Sequence, residues 1–326
     1  MAVAAGPRDC MQASQIQTTI KPEVEDTGKV RDIKVSVIIP TMNEPAISKV
    51  VNETRQALKH YITEIIVVDK STDDTPKKAR KAGARVITQE QIGYGNAYLL
   101  GFRHICPDAE IVVMMDGDYT YDPYEIPLLI DPIVDGYADI VLGNRFGHME
   151  EGAMNARNRM GNGLITGTIN MLYKLKLRDS QSGFRAMSRT ALDMMEITSE
   201  GMPFASEMII DARKKSIRIS EVPIRYRQRV GVPKLKAYKD GSLILGLVIR
   251  MVRDYNPLTI FLPIGGLLML GGVLAWAFVV QEWLQTGIIT RFASVVGGTM
   301  LFLAGLQIVF FGLLADIILV ALRSRR

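Results

Sequence analysis

Two stretches of this 326-residue chain carry no charge: Asn256 to Val280 and Phe292 to Ala315. Each is longer than the ~20 residues an α-helix needs to cross a bilayer, and hydrocarbon admits only helices or closed barrels. Two membrane helices are therefore expected, at about 257–280 and 292–322. The connection Gln281–Arg291 is short, so they form a hairpin with both ends on one side. Arg250 and Arg253 precede the first span and Arg323, Arg325 and Arg326 follow the second, whereas the connection holds only Arg291, beside Glu282. Lys and Arg collect on the cytoplasmic side, which puts the bulk of the chain and both termini in the cytoplasm. Gly298, Gly305 and Gly312 recur every seven residues, as do Gly265 and Gly272. That stripe suits close packing within the pair or between protomers.

Ahead of the spans, the apolar run Val112–Met115 ends abruptly in Asp116-Gly117-Asp118. Such a run reads as a strand buried on both faces of a parallel sheet. Alternation sends Asp116 and Asp118 to one face, where they repel unless a cation lies between them. Mg²⁺ or Mn²⁺ suits the pair, taking a few carboxylate oxygens and leaving positions for phosphate. An acidic turn capping the next helix would also explain an isolated Asp-x-Asp.

The order of the remaining elements bears on that choice. Val35–Ile39 is a strand closed by Pro40; Thr41-Met42-Asn43-Glu44 is a loop, and Pro45 opens a helix to about His60. Ile65–Val68 is a strand ending at Asp69, followed by a capping turn and a basic helix through Ala82. Arg85–Thr88 is a strand, and Gly93-Tyr94-Gly95-Asn96 opens a helix to about Ile105. Beyond the central strand come a helix at Glu125–Val134 and a strand at Ala138–Leu142 that closes in Gly143-Asn144-Arg145. A long helix spans Asn155–Leu175, and Asp179–Arg185 is a polar loop. Helices near Thr190–Glu196 and Phe204–Lys215 lead to a strand at Ile217–Val222. This alternation implies an α/β, doubly wound, mostly parallel sheet, with ligands at the C-terminal strand ends. Glu44, Asp69 and Asp116/Asp118 all lie at such ends, which favours the metal–nucleotide reading.

The flanks are organised by charge. Residues 1–31 have no apolar core and read as a flexible arm rather than a signal peptide. Cys10 and Cys106 imply no disulfide framework, and the three histidines have no metal-ligand spacing. From Arg213 to Arg253 twelve Lys/Arg face two acids, and Ser242–Val252 is an apolar helix broken by Arg250. A juxtamembrane amphipathic helix at 237–255, lying against anionic headgroups, is expected between a catalytic domain at 32–236 and the hairpin at 256–326.

With these residues placed, the chain resembles a family 2 glycosyltransferase of the GT-A fold. More narrowly, it resembles the dolichyl- or polyprenyl-phosphate hexose (mannose or glucose) synthases. The resemblance covers about Val35 to Leu235. It rests on Pro40-Thr41-Met42-Asn43-Glu44, Val68-Asp69-Lys70-Ser71-Thr72-Asp73, Asp116-Gly117-Asp118, Ser182-Gly183-Phe184-Arg185, Glu221-Val222-Pro223-Ile224 and Arg229–Leu235, in that order. The resemblance implies that Pro40, Thr41, Asn43, Glu44 and Asp69 line the nucleotide-sugar site. Gly93, Gly95 and Asn96 would approach ribose or phosphates, with Gly117 between the two aspartates. Asp116 and Asp118 would carry the metal, Thr120 occupying the position of a possible third ligand. Arg145, Arg229 and Lys234 would hold the acceptor phosphate, with Arg159 and Arg157 as further candidates. Lys70, where the family often has Asp, and Pro233, where it often has Ser, are departures.

The reaction so implied moves a hexose, from GDP-mannose or UDP-glucose, to the phosphate of dolichyl or polyprenyl phosphate with inversion. A lipid phosphate is mostly dianionic at neutral pH, so it needs cationic guidance more than a strong base. Asp179 could orient the sugar or act as a base. The alternatives are a transferase acting on a lipid hydroxyl or another acceptor, and a non-catalytic nucleotide-sugar-binding module. The hairpin also leaves room for a homo-oligomer.

Overall fold

The structure is a computed structural model that describes residues 31–231, 246, 257–288 and 291–323. The expected arm and juxtamembrane helix, together with Lys234, lie outside the described residues, apart from Arg31 and Gly246. Strand and helix alternate as β1 (Arg31–Thr41), α1 (Ile47–Ala57), β2 (Tyr61–Asp69), α2 (Thr75–Lys81), β3 (Arg85–Thr88), α3 (Tyr94–Phe102) and β4 (Ile111–Met114). A 3₁₀ turn at Pro123–Glu125 leads into α4 (Ile126–Val134), followed by β5 (Ile140–Met149) and α5 (Ala156–Tyr173). Then come β6 (Arg185–Ser188), α6 (Arg189–Met194), α7 (Phe204–Lys214) and β7 (Ile219–Tyr226). Two long helices complete the order, α8 (Leu258–Thr286) and α9 (Phe292–Arg323).

The seven strands form one sheet in the order β3-β2-β1-β4-β6-β5-β7. All neighbours are parallel except at β6, which runs antiparallel to both β4 and β5. Strand alternation divides the core between the two faces. Val35, Val37 and Ile39 pack with Val50, Leu129 and Ile130 on the α1–α4 face, while Ile38, Val112 and Met114 pack with Tyr98, Ile169 and Met208 on the α3–α7 face. The mixed α/β sheet with helices on both sides matches the expected fold class.

Three boundaries differ from the sequence expectation. Arg185–Ser188, expected to end a polar loop, is a strand, because Ala186 and Arg185 pair with Val113 and Met114 on one side and with Val141 and Leu142 on the other. β5 continues past Arg145 to Met149, drawn on by pairing of His148 and Met149 with Arg225 and Tyr226 of β7. β7 itself runs through Pro223, which an edge strand tolerates because only one side needs backbone donors.

α8 and α9 are long and apolar enough to cross a membrane, over Phe261–Thr286 and Phe292–Ile318. The glycine stripe forms the seam between them. A Cβ on Gly265 would lie 2.6 Å from the Gly305 carbonyl, and one on Gly272 2.6 Å from that of Gly298. Gly312 closes the same seam against Phe261, where a Cβ would come within 2.6 Å of that side chain. These glycines therefore serve the intramolecular hairpin rather than a contact between protomers.

Candidate active site

The C-terminal ends of β1, β2 and β4 meet around a network of short polar contacts. Thr41 donates its hydroxyl to Asp69 Oδ1 at 2.7 Å, and Ser71 donates its own to the same oxygen at 2.6 Å. Asn43 takes a left-handed backbone (φ 53°), and its side-chain carbonyl accepts from the Thr72 amide at 2.8 Å. Thr41, Asn43 and Asp69 thus lock the first two strand-end loops together. Gly117 is tight against this edge: a Cβ there would lie 2.8 Å from Thr41 Cγ2 and 3.3 Å from the Pro40 carbonyl.

Asp116 and Asp118 emerge just beyond β4. Tyr94 donates its hydroxyl to Asp116 Oδ1 at 3.1 Å, with the Tyr98 hydroxyl 3.5 Å from the same oxygen. Burial, and then the charge of Asp118, push the Asp116 carboxyl up to about 7. Burial and the Asp116 charge also raise the Tyr94 hydroxyl well above its ordinary value, so it stays protonated and able to donate. Against the other Asp116 oxygen lies Gly183, where a Cβ would sit 2.7 Å from Asp116 Oδ2 and 2.6 Å from the Tyr94 hydroxyl. Only glycine lets the Ser182-Gly183-Phe184 backbone approach this closely.

Asp118 is held from both sides. Thr120 donates its amide (3.1 Å) and hydroxyl (2.6 Å) to Asp118 Oδ1. Arg229 reaches Asp118 Oδ2 at 3.2 Å with one nitrogen and Glu44 Oε1 at 2.7 Å with another. The Val230 amide donates to the Asp118 carbonyl at 3.1 Å and the Arg227 amide to that of Thr120 at 2.8 Å, which fastens the chain after β7 to the Asp-Gly-Asp turn. Thr120 is buried and points its hydroxyl at Asp118. In this arrangement it orients that carboxylate.

Arg145 and Asp179 form a buried bidentate pair. Arg145 Nε and Nη2 donate to the two Asp179 oxygens at 2.6 and 2.8 Å, and its backbone amide adds a third contact at 3.2 Å. Asp179 is 0% exposed. The Asp179 carboxylate is thus enclosed and engaged on both oxygens, and two of the three Arg145 guanidinium nitrogens are committed to it. The pair braces this loop and sets a fixed positive group beside Asp116, whose ionised form Arg145 favours. Glu221 carries the pair's loop, accepting from the Arg178 and Asp179 amides at 2.6 and 2.7 Å. Arg185, 1% exposed, donates to the carbonyls of Ser180, Ser182 and Ala205, so the Ser-Gly-Phe-Arg arginine is the internal brace of the same loop.

Gly93 and Gly95 pack against the backbone of the Ser199–Glu200 loop. A Cβ on Gly93 would lie 2.3 Å from the Glu200 carbonyl and one on Gly95 2.0 Å from that of Ser199, and the Asn96 amide donates to Glu200 at 2.9 Å. Contact with this loop accounts for both glycines without a ligand. Arg159 is exposed on α5 with its guanidinium 5.8 Å from the Phe146 ring centre, outside the carboxylate cluster. Residues that sequence reasoning passed over include Tyr94 and Tyr98, whose i, i+4 spacing at the start of α3 was the available signal. Arg227 was also passed over; it pairs with Asp122 at 2.5 Å beneath the Tyr119 ring.

The donor set suits a hard divalent cation. The charge of Asp118 raises the proton affinity of Asp116, and a cation relieves that repulsion. Among the described residues, no group of three or more His, Cys, Asp or Glu could hold a metal. A cation here would therefore complete its shell from phosphate and water, as Mg²⁺ commonly does.

Residues 36–195 match the model of the family described as Glycosyl transferase family 2. The low-salt glycan biosynthesis hexosyltransferase Agl6 of Haloferax volcanii is 37% identical over 85% of this chain and 67% of its own length. Glycosyltransferase AglJ of the same organism is 32% identical over 87% of this chain and 93% of its own. A dolichyl-phosphate hexose transferase of that organism is 35% identical over 67% of this chain and 93% of its own. Among solved structures, glucosyl-3-phosphoglycerate synthase from Mycobacterium tuberculosis superposes with a TM-score of 0.56 at 22% identity, covering 67% of this chain and 78% of that one. That likeness is one of fold. Strand-end acids, the Asp-Gly-Asp turn and the relatives agree: the chain is a glycosyltransferase and belongs to glycosyltransferase family 2.

Proposed function

We propose that the chain transfers a hexose from a nucleoside-diphosphate sugar to the phosphate of a dolichyl or polyprenyl phosphate, inverting the anomeric carbon. The observation that carries this reading is the placement of Arg229. It bridges Asp118 and Glu44 at the strand ends, on the segment that follows β7 and precedes α8. A cation from that segment, beside the carboxylate pair, can meet two anions brought together at one carbon. Relatives named as a dolichyl-phosphate hexose transferase and a dolichol-phosphate mannosyltransferase support the acceptor class.

Asp116 and Asp118 would hold Mg²⁺ or Mn²⁺, which when bound neutralises the departing diphosphate as a Lewis acid. Tyr94 and Thr120 keep the two carboxylates aimed, and Gly183 leaves room for them. Arg145 contributes fixed positive potential, and Arg229 exchanges its carboxylate partners for phosphate oxygens, a geometry the guanidinium fork matches. The acceptor phosphate is already an anion and attacks the anomeric carbon opposite the leaving group. The C–O bond to the diphosphate breaks as the new one forms. Engagement of Asp179 by Arg145 favours this acceptor over a lipid hydroxyl, which would require a free base. By the charge distribution around the two spans, the catalytic domain and both termini are cytoplasmic.

The test separates donor from acceptor. Arg229→Ala is expected to weaken use of polyprenyl phosphate by about tenfold or more while donor binding changes far less, since removing a charge-assisted phosphate contact forfeits about 1.5–3 kcal/mol. Equal losses in both would contradict the acceptor role.

A further inference from the structure

Near the middle of the apolar span of α9 stands one carboxamide, Gln307. The span runs from Phe292 to Ile318, so Gln307 lies two residues past its midpoint, about 3 Å along the axis. Its side chain is exposed, on the helix face turned away from the glycine seam with α8. The Trp276 indole N–H of α8 goes to Thr299, at 3.3 Å, and among the described residues no hydrogen bond reaches the Gln307 amide. In water an exposed glutamine is ordinary. In hydrocarbon its two N–H donors and its carbonyl have no partner, and polar groups at that depth turn toward protein.

The neighbours of Gln307 form a stripe. Gly297, Met300, Ala304, Gln307, Phe311 and Leu314 follow one another at alternating spacings of three and four residues, and all are exposed. That is the 3.5-residue period which keeps one line of side chains against a neighbouring helix. A Cβ on Gly297 would meet nothing within 4 Å, so this glycine, unlike Gly298 beside it, is free of the hairpin seam.

We infer that this face of α9 packs against the same face of a second copy of the chain, with the two Gln307 carboxamides hydrogen-bonded to each other near the bilayer centre. The inference rests on α8 and α9 spanning a membrane. The chemistry selects a second copy: a carboxamide is donor and acceptor at once, so two of them satisfy each other across an axis along the membrane normal. Copies inserted in the same orientation bring residue 307 to the same depth automatically. Lipid tails offer neither donor nor acceptor. The glycines at 265, 272, 298, 305 and 312 are already committed within each hairpin, which leaves this second face for the contact.

The full chain, labelled in separate batches with donor and acceptor dyes, can be reconstituted into phosphatidylcholine–phosphatidylglycerol vesicles and diluted with lipid. Energy transfer between copies is expected, with the dissociation midpoint moved on the order of three- to tenfold toward higher protein density by Gln307→Leu and less by Gln307→Asn. In a chain with Cys10 and Cys106 replaced by Ser, Ala304→Cys should yield oxidised dimers. Leu313→Cys, about 180° round the helix from Ala304, should not. Absence of energy transfer in the wild-type chain, or a midpoint unmoved by Gln307→Leu, would overturn the pairing. Alkaline carbonate should leave every variant in the membrane fraction; release of the wild-type chain would overturn the spanning and the pair with it.

Discussion

Among single residues, Asp116 carries the clearest consequence for conditions. Its carboxyl is raised from 3.8 to about 7, first by burial and then by Asp118. Between those values the folded chain binds more protons than the unfolded one, so this group's contribution to stability is full at low pH and falls as pH rises through about 7. A divalent cation reverses the trend, because it binds the ionised pair and releases the proton. The thermal shift produced by Mn²⁺ is therefore expected to be larger at about pH 8 than at about pH 5.5, and Asp118→Asn should abolish the difference. Equal shifts at both pH values would refute the pair as the binding site. Gly183→Ala drives a methyl against Asp116 and Tyr94 and should cost about 1–3 kcal/mol as overpacking, read by denaturation, with weaker Mn²⁺ binding. The Asp-Gly-Asp turn was legible in the sequence because an apolar run stops dead at two acids. The partners of Thr120, Arg145 and Asp179 were not, since residue type tells nothing of which partner a polar side chain will find. Asp179 lies 34 residues from Arg145 along the chain and becomes its partner only through the fold.

At the scale of elements, the loop between α5 and β6 is held by Arg145–Asp179, by Glu221 and by Arg185. Removing one member of the buried pair strands the other, a loss of about 3–5 kcal/mol. Asp179→Leu and Arg145→Met are each expected to destabilise by that order, while the double variant loses clearly less than the sum. Chemical denaturation of all three checks this, and additive losses would show that the pair is not coupled. The strand–helix alternation through β4 could be read directly, because each parallel strand is a continuous apolar run. β6 escaped notice for the opposite reason. Arg185-Ala-Met-Ser has no such run and becomes a strand only because β4 and β5 offer it two edges. The ends of β5 and β7 were misjudged for a related cause: each extends as far as the other pairs with it, and Pro223 does not stop an edge strand.

For the whole molecule, a catalytic sheet and an apolar hairpin share one chain, and both are legible in its sequence. Hydropathy marks two segments long and apolar enough to cross a membrane; which glycine faces which helix required the packed pair. Gly305→Leu should destabilise the detergent-solubilised protein far more than Gly271→Leu, since a Cβ at Gly305 meets the Gly265 carbonyl at 2.5 Å and one at Gly271 meets nothing within 4 Å. Thermal unfolding in detergent measures the contrast, and equal losses would mean the seam lies elsewhere. The central claim is that a cation on Asp116 and Asp118 serves the departure of a nucleoside diphosphate while a lipid phosphate attacks. Its most direct measurement is transfer of labelled hexose from a panel of nucleotide sugars to polyprenyl phosphate, with and without Mn²⁺, by wild type and Asp118→Asn. Transfer should require both the cation and the lipid phosphate, and should fall on the order of a hundredfold or more in the variant, with its fold unchanged. Transfer that persists without a cation, or survives in Asp118→Asn at the wild-type rate, would contradict it.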